Sequence, residues 1–214
     1  INIDFNGTSY SVDESALSAA TTSLQSHLSS VMNGSGAKIR LGGVDYNESQ
    51  FNRATNSKRQ VGSTIKPILY YSALENGFTS ISTFTSEKTT FNFSNNKTYT
   101  PKNYNNKYGN KPISMAAAIA YSENIYAVKT HLFLGEEALI NVARRVGITA
   151  KLENIPSLPL GTNEISIIEM AAGYSAFANL GHKIKPHLIE KVEDVNGNVL
   201  YECHHDKELV LNSS

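Results

Sequence analysis

A chain of 214 residues with 40% hydrophobic and 18% charged residues can bury one well-packed domain or two small ones, and it reads as soluble and globular. Lys plus Arg equals Asp plus Glu, so the net charge of zero argues against nucleic acid or an anionic membrane surface as a partner. No apolar run approaches the roughly 20 residues of a membrane helix, and the single cysteine, Cys203, excludes an internal disulfide.

The N-terminal Ile1-Asn2-Ile3-Asp4 lacks the order of a signal peptide and opens on Ile rather than Met, as an excised or processed piece would. Ser11-Val12-Asp13-Glu14 is a capping-box pattern. Leu17, Leu24, Leu28 and Val31 follow at helical spacing up to Asn33-Gly34, which predicts an amphipathic first helix. Lys38-Ile39-Arg40-Leu41 alternates as a half-buried strand does and ends at Gly42-Gly43. Asp45 to Arg59 is polar and reads as a surface loop.

A helix is predicted from about Ser63 to Asn76, with Pro67 tolerated in its first turn and Gly77 as its left-handed stop. Phe78 to Asn110, rich in Thr, Asn, Lys and Tyr, reads as short strands in an ordered excursion long enough to be a candidate for function. From Ser114 the small, apolar Met115-Ala116-Ala117-Ala118-Ile119-Ala120 predicts a central buried helix. Gly135 to Val146 predicts another, and Ser166-Ile167-Ile168-Glu169 opens a third through a capping box, closed by Gly181. Leu188 to Val192 and Val199 to Tyr201 flank Asn196-Gly197, a strong hairpin signal. Cys203-His204-His205 reads as a solvated loop, because no other cluster completes four metal ligands. No cofactor site is read from the sequence.

The candidate chemistry begins at Ser63-Thr64-Ile65-Lys66. Residues three apart share a helix face, so an amine can reach a hydroxyl, and a desolvated lysine can take the proton that makes serine a nucleophile. The pattern alone does not identify the site, since Ser35/Lys38 and Ser94/Lys97 satisfy it too, and by itself it favours Ser63 as an ordinary helix cap with Lys66 a solvated first-turn residue.

The neighbouring stretches are more specific. Gly42-Gly43-Val44-Asp45-Tyr46 is followed by Ser49-Gln50-Phe51-Asn52-Arg53-Ala54-Thr55 and by Arg59-Gln60-Val61-Gly62-Ser63-Thr64-Ile65-Lys66-Pro67. Tyr99-Thr100-Pro101-Lys102-Asn103-Tyr104 and Ala120-Tyr121-Ser122-Glu123-Asn124 come next, then Leu160-Gly161-Thr162-Asn163-Glu164-Ile165 leading to Glu169-Met170-Ala171-Ala172 and Phe177-Ala178-Asn179. In order and rough spacing this resembles the transpeptidase domain of class A (bifunctional) penicillin-binding proteins, over about Gly42 to Glu202.

The resemblance implies an α/β (α+β) domain of the penicillin-binding-protein and serine β-lactamase fold, with an antiparallel sheet and an all-helical subdomain. It implies Ser63 as the acyl-accepting nucleophile and Lys66 as its base. Ser122 would relay a proton to the leaving amine, and Asn124 would hydrogen-bond Lys66 or the substrate amide. Glu123 stands where the motif quoted most often has Asp, and could tune the charge of the cleft. The implied partners are peptidoglycan stem peptides and β-lactam antibiotics, and the implied place is the outer face of a bacterial cytoplasmic membrane, with the parent protein anchored there.

The family's Lys-Thr-Gly motif does not occur: Lys129-Thr130 is followed by His131, and Lys88-Thr89 by Thr90. The expectation is therefore a domain incomplete in this chain, with residues 1–41 leading in and 42–214 forming its N-terminal and central part. A C-terminal remainder carrying Lys-Thr-Gly, as a continuation or a separate chain, becomes an expected partner. A β-lactamase or D,D-carboxypeptidase of the same superfamily, and a non-catalytic β-lactam-binding or scaffolding domain, stay open as alternatives.

Overall fold

A computed structural model describes residues 2–5, 8–11, 51–204 and 208–212. The chain divides into two compact units, Ile1–Arg53 and Ala54–Ser214. In the first, β1 (Asn2–Phe5) pairs antiparallel with β2 (Thr8–Ser11), Ile3 facing Tyr10. The expected first helix beyond Ser11 and the strand at Lys38–Leu41 lie outside the described residues.

The second unit opens with β3 (Lys58–Gln60), which pairs antiparallel with a strand far downstream, Arg59 opposite Ile165. This corrects the surface loop expected through Arg59. All three side chains of β3 are exposed, so no apolar alternation marks it, and only its distant partner makes it a strand. A 3-10 turn at Gly62–Ile65 leads into α1 (Lys66–Glu75). Pro67 sits in the first turn of α1, where its missing N–H costs no intrahelical bond, and Gly77 (φ +86°) follows the end of the helix as expected.

The excursion after α1 is built of short strands: β4 (Thr83–Thr85), β5 (Phe91–Asn92), β6 (Thr98–Tyr99) and β7 (Pro112–Ser114). β4 pairs with β7 and β5 with β6, both antiparallel. Ser114 then caps α2 (Met115–Ala120), its hydroxyl accepting from the amide of Ala117 at 3.2 Å.

α2 is not the central buried helix expected there: only Met115 and Ala118 are buried, and Ile119 is half exposed. That place belongs to α3 (Asn124–Leu134), where Ile125, Tyr126, Ala127, Val128, Thr130 and His131 are all buried. Its apolar and small residues pack against α1, α2 and β4, while Phe133 near its end is 70% exposed. A short α2 results because Ser122 (φ +51°) takes the left-handed conformation and ends it, Glu123 donating its amide back to the Ala118 carbonyl at 2.9 Å.

Gly135 (φ +87°) separates α3 from α4 (Glu136–Arg145). β8 (Glu164–Ser166), the partner of β3, runs into α5 (Ile167–Ala178) through the predicted capping box of Ser166 and Glu169. The body of α5 ends at Ala178 rather than Gly181, yet Gly181 (φ +87°) still closes it, donating its amide to the Ala176 carbonyl at 2.8 Å. β9 (His182–Lys183) pairs with the last strand, and β10 (Lys191–Glu193) with β11 (Val199–Glu202) as the predicted hairpin. In that turn Asp194 accepts from the amides of Asn196 and Asn198, each at 2.8 Å. β12 (Glu208–Leu209) completes the pair with β9.

The core lies where α1, α3 and α4 meet. Ile65, Ile68 and Leu69 pack with Ala127, Leu139, Val142 and Ile148, all nearly or wholly excluded from solvent. The architecture is therefore mixed α/β, a helical centre with small antiparallel strand pairs. Among the described residues no helix is long and apolar enough to cross a membrane.

Candidate active site

The turn before α1 is set by two glycines. The amide of Gly62 (φ +56°) donates to the Gly161 carbonyl at 3.1 Å, and a Cβ on Gly161 (φ +70°) would collide with the backbone of Gly62. From the other side, Tyr174 of α5 donates its hydroxyl to the Thr64 carbonyl at 2.7 Å, while Ile65 is fully buried. Ser63, between these anchors, is exposed, and its carbonyl accepts the amide of Lys66.

Lys66 is the unusual residue. It is only 3% exposed, and its amine donates to the Ser122 carbonyl (2.7 Å), the Ser122 hydroxyl (3.1 Å) and Asn124 Oδ1 (2.7 Å). An ammonium group has three protons, and here each has an acceptor. Burial lowers its pKa to about 8, against the opposing pull of the Glu123 charge. Such an amine is neutral in a substantial fraction at mildly alkaline pH and can then accept a proton from a hydroxyl.

Ser122 and Asn124 are brought to Lys66 by the break between α2 and α3. The left-handed conformation of Ser122 costs roughly 1–2 kcal/mol for a residue with a Cβ, and it turns both the carbonyl and the hydroxyl of Ser122 toward one amine. Asn124, the first residue of α3, also donates its side-chain amide to the Lys102 carbonyl at 2.7 Å.

Glu123, between them, points away from solvent. Its carboxylate accepts from the Ser86 hydroxyl (2.6 Å), Asn103 Nδ2 (2.5 Å) and the Tyr126 amide (2.5 Å).

Ser63, Lys66 and Ser122 line one cleft of about 360 Å³, whose remaining wall is largely apolar and includes Tyr70, Tyr71, Leu74, Ile119 and Phe177. The other three residues singled out from the sequence thus surround the Lys66 amine: Ser122 and Asn124 by hydrogen bonds, and Ser63 by sharing the cleft. The second S-x-x-K pattern differs, since Ser94 lies in an isolated 3-10 turn and Lys97 is exposed. The pair Ser35/Lys38 lies outside the described residues.

Three residues had no role in the sequence reading although two of their stretches were singled out: Asn103, Gly161 and Tyr174. Their contacts join segments remote in sequence, so no local periodicity marks them.

Comparison with known proteins agrees with the geometry. A family model described as the penicillin binding protein transpeptidase domain matches residues 31–213. Penicillin-binding protein 2D of Bacillus subtilis is 50% identical over 172 residues, 80% of this chain and 25% of that protein. Penicillin-binding protein 1A of Aquifex aeolicus is 43% identical over 176 residues, 81% of this chain and 24% of that protein.

Among solved structures, penicillin-binding protein 1A from Haemophilus influenzae superposes with a TM-score of 0.71 at 33% identity, over 78% of this chain and 25% of that one. This chain thus spans about a quarter of the length of those relatives. The motif order, the fold and these matches together establish that the chain belongs to the transpeptidase-domain family of penicillin-binding proteins.

Proposed function

We propose that this domain is the serine acyltransferase part of a D,D-transpeptidase that crosslinks peptidoglycan stem peptides and is acylated by β-lactams. The observation that carries this reading is the buried amine of Lys66, held by Ser122 and Asn124 with its pKa near 8, in the cleft that also exposes Ser63.

Ser63 Oγ attacks the carbonyl of the penultimate D-Ala, and neutral Lys66 takes the hydroxyl proton as the C–O bond forms. The bond to the terminal D-Ala then breaks, and that amine leaves with a proton relayed from Lys66 through the Ser122 hydroxyl. The product is an ester on Ser63. The amine of a second stem peptide attacks the ester, gives up its proton along the reverse path and releases Ser63. A β-lactam carbonyl undergoes the first half of this sequence, its ring C–N bond opening, and the ester persists. Asn124 orients Lys66 by accepting from its amine on Oδ1.

We assign residues 42–214 to the N-terminal and central part of the transpeptidase domain and 1–41 to the segment leading into it. The sequence contains no Lys-Thr-Gly, so the reading takes the clamp on the substrate carboxylate, and the second oxyanion donor beside the Ser63 amide, from a further segment of the domain. The apolar wall of Tyr70, Tyr71, Leu74 and Phe177 offers a surface for that segment. The parent protein acts at the outer face of the cytoplasmic membrane, where stem peptides are found.

The test is stoichiometric labelling of the full-length protein by a fluorescent penicillin, with Ser63→Ala as the blank. A stable adduct on wild type alone supports the transpeptidase. Rapid turnover of penicillin would instead mark a β-lactamase, and an absence of any adduct a non-catalytic domain.

A further inference from the structure

The excursion Phe78 to Asn110 returns to the site through one side chain. Asn103, 9% exposed, accepts on Oδ1 from the amides of Asn124 (2.9 Å) and Ile125 (3.4 Å). These are the first two amides of α3, which have no partner within the helix. Through Nδ2 it donates to Glu123 Oε1 (2.5 Å) and to the Lys107 carbonyl (3.0 Å). The preceding residue, Lys102, offers its carbonyl to the Asn124 side chain.

Glu123 collects the rest. An ordinary helix cap needs one bond from the side chain to a helix amide, and Glu123 makes that bond to Tyr126. Its other oxygen, however, accepts from both Asn103 and the buried Ser86, and the Ser86 hydroxyl in turn accepts from the Gly109 amide at 3.0 Å. Burying a carboxylate is costly unless every lone pair is engaged, and these bonds from three segments are what make it tolerable. Among the described residues, neither Asn103 nor Glu123 lines the cleft. What they grip is the first turn of α3, directly after the left-handed Ser122, whose conformation persists only where its surroundings hold it.

We propose that Asn103 and Glu123 are positioning residues of this site, clamping the Ser122–Asn124 turn from behind so that its hydroxyl, carbonyl and amide oxygens converge on the Lys66 amine. The inference rests on the reading of Ser63 and Lys66 as an acylation site. It gives the excursion a role, because two of its residues, Ser86 and Asn103, both donate to one buried carboxylate, and Gly109 donates to Ser86. Glu123 is also the charge that acts on Lys66. The nearby phenols are held neutral, Tyr70 on α1 well above the ordinary range and Tyr126 on α3 pushed up to about 12, in both cases first by burial.

The experiment measures two quantities in the full-length protein over a pH range bracketing 8. One is the second-order rate of acylation by a fluorescent penicillin; the other is the titration of Lys66 followed by isotope-labelled lysine NMR, assigned with Lys66→Arg. Asn103→Ala removes the grip on α3 and should lower the acylation rate by about 10²-fold per folded molecule, the scale of a small misplacement of a reacting group. Glu123→Gln is nearly isosteric and removes the negative charge, so the midpoints of both the rate profile and the Lys66 titration should move to lower pH. Glu123→Asp keeps the charge and a helix-capping oxygen and should return the midpoints toward wild type.

Wild-type rates and midpoints in Asn103→Ala and Glu123→Gln would overturn the proposal, as would a loss in Asn103→Ala that merely tracks the folded fraction. If wild type is never acylated but the Lys66 titration still moves in Glu123→Gln, the acylation reading fails while the control of Lys66 by this clamp stands.

Discussion

Gly161 lies against the backbone of Gly62, the residue before Ser63, so closely that a Cβ on Gly161 would strike the nitrogen, carbonyl carbon and oxygen of Gly62 at once. Both glycines have positive φ, and a hydrogen bond from Gly62 to Gly161 joins them. The 3-10 turn that carries Ser63 is thus fixed by backbone packed on backbone.

Gly161→Ala is therefore expected to displace that turn, because no rotamer change can relieve a collision between a Cβ and a main chain. Positive φ alone costs roughly 1–2 kcal/mol for a residue with a Cβ, and the collision adds to it. Thermal denaturation should show a lower Tm, and the acylation rate per folded molecule should fall by about 10²-fold. A variant with wild-type acylation would show that this contact does not place Ser63.

The lowered pKa of Lys66 makes a second prediction. If neutral Lys66 is the base, the acylation rate rises with pH through about 8, where burial has placed its titration. Lys66→Ala should lose roughly 10²–10⁴-fold in rate, the usual range for a general base. Lys66→Arg should lose nearly as much, since a guanidinium stays charged and cannot take the proton. A wild-type profile that is flat on both sides of pH 8 would rule out this role.

Glu169 predicts an acid limb of stability. Burial works to raise its pKa, but hydrogen bonds from Thr149 and Ser166 outweigh that and hold it at about 2. Its folded pKa lies below the unfolded value of about 4.5, so the unfolded chain binds the proton more readily. The stability it contributes is present above the unfolded pKa and is lost as pH falls toward 2. Denaturant midpoints should fall with pH over that window in wild type and fall less steeply in Glu169→Gln; equal slopes would refute it.

Much of the fold was legible locally. The capping box of Ser166 and Glu169, Pro67 at the start of α1, Gly77 after its end and Asn196-Gly197 in the hairpin each act within a turn of chain, so their chemistry specifies their conformation without the rest of the fold. The family was legible for another reason: several stretches in the right order are far more specific than any one of them.

Packing among distant segments was not legible. β3 carries no apolar signal because its partner alone makes it a strand. The Ala-rich text of α2 suits burial and so points to the central helix one helix too early, since the left-handed Ser122 ends α2 and α3 fills the core.

The sequence by itself determined the family and most of the local turns. The resemblance already placed the candidate nucleophile at Ser63, and only the tertiary structure decided how the surroundings of Ser63/Lys66 differ from those of Ser94/Lys97. The pattern is the same in both, but desolvation and acceptors are properties of the surroundings: Lys66 is enclosed and held by Ser122 and Asn124, and Lys97 stands exposed.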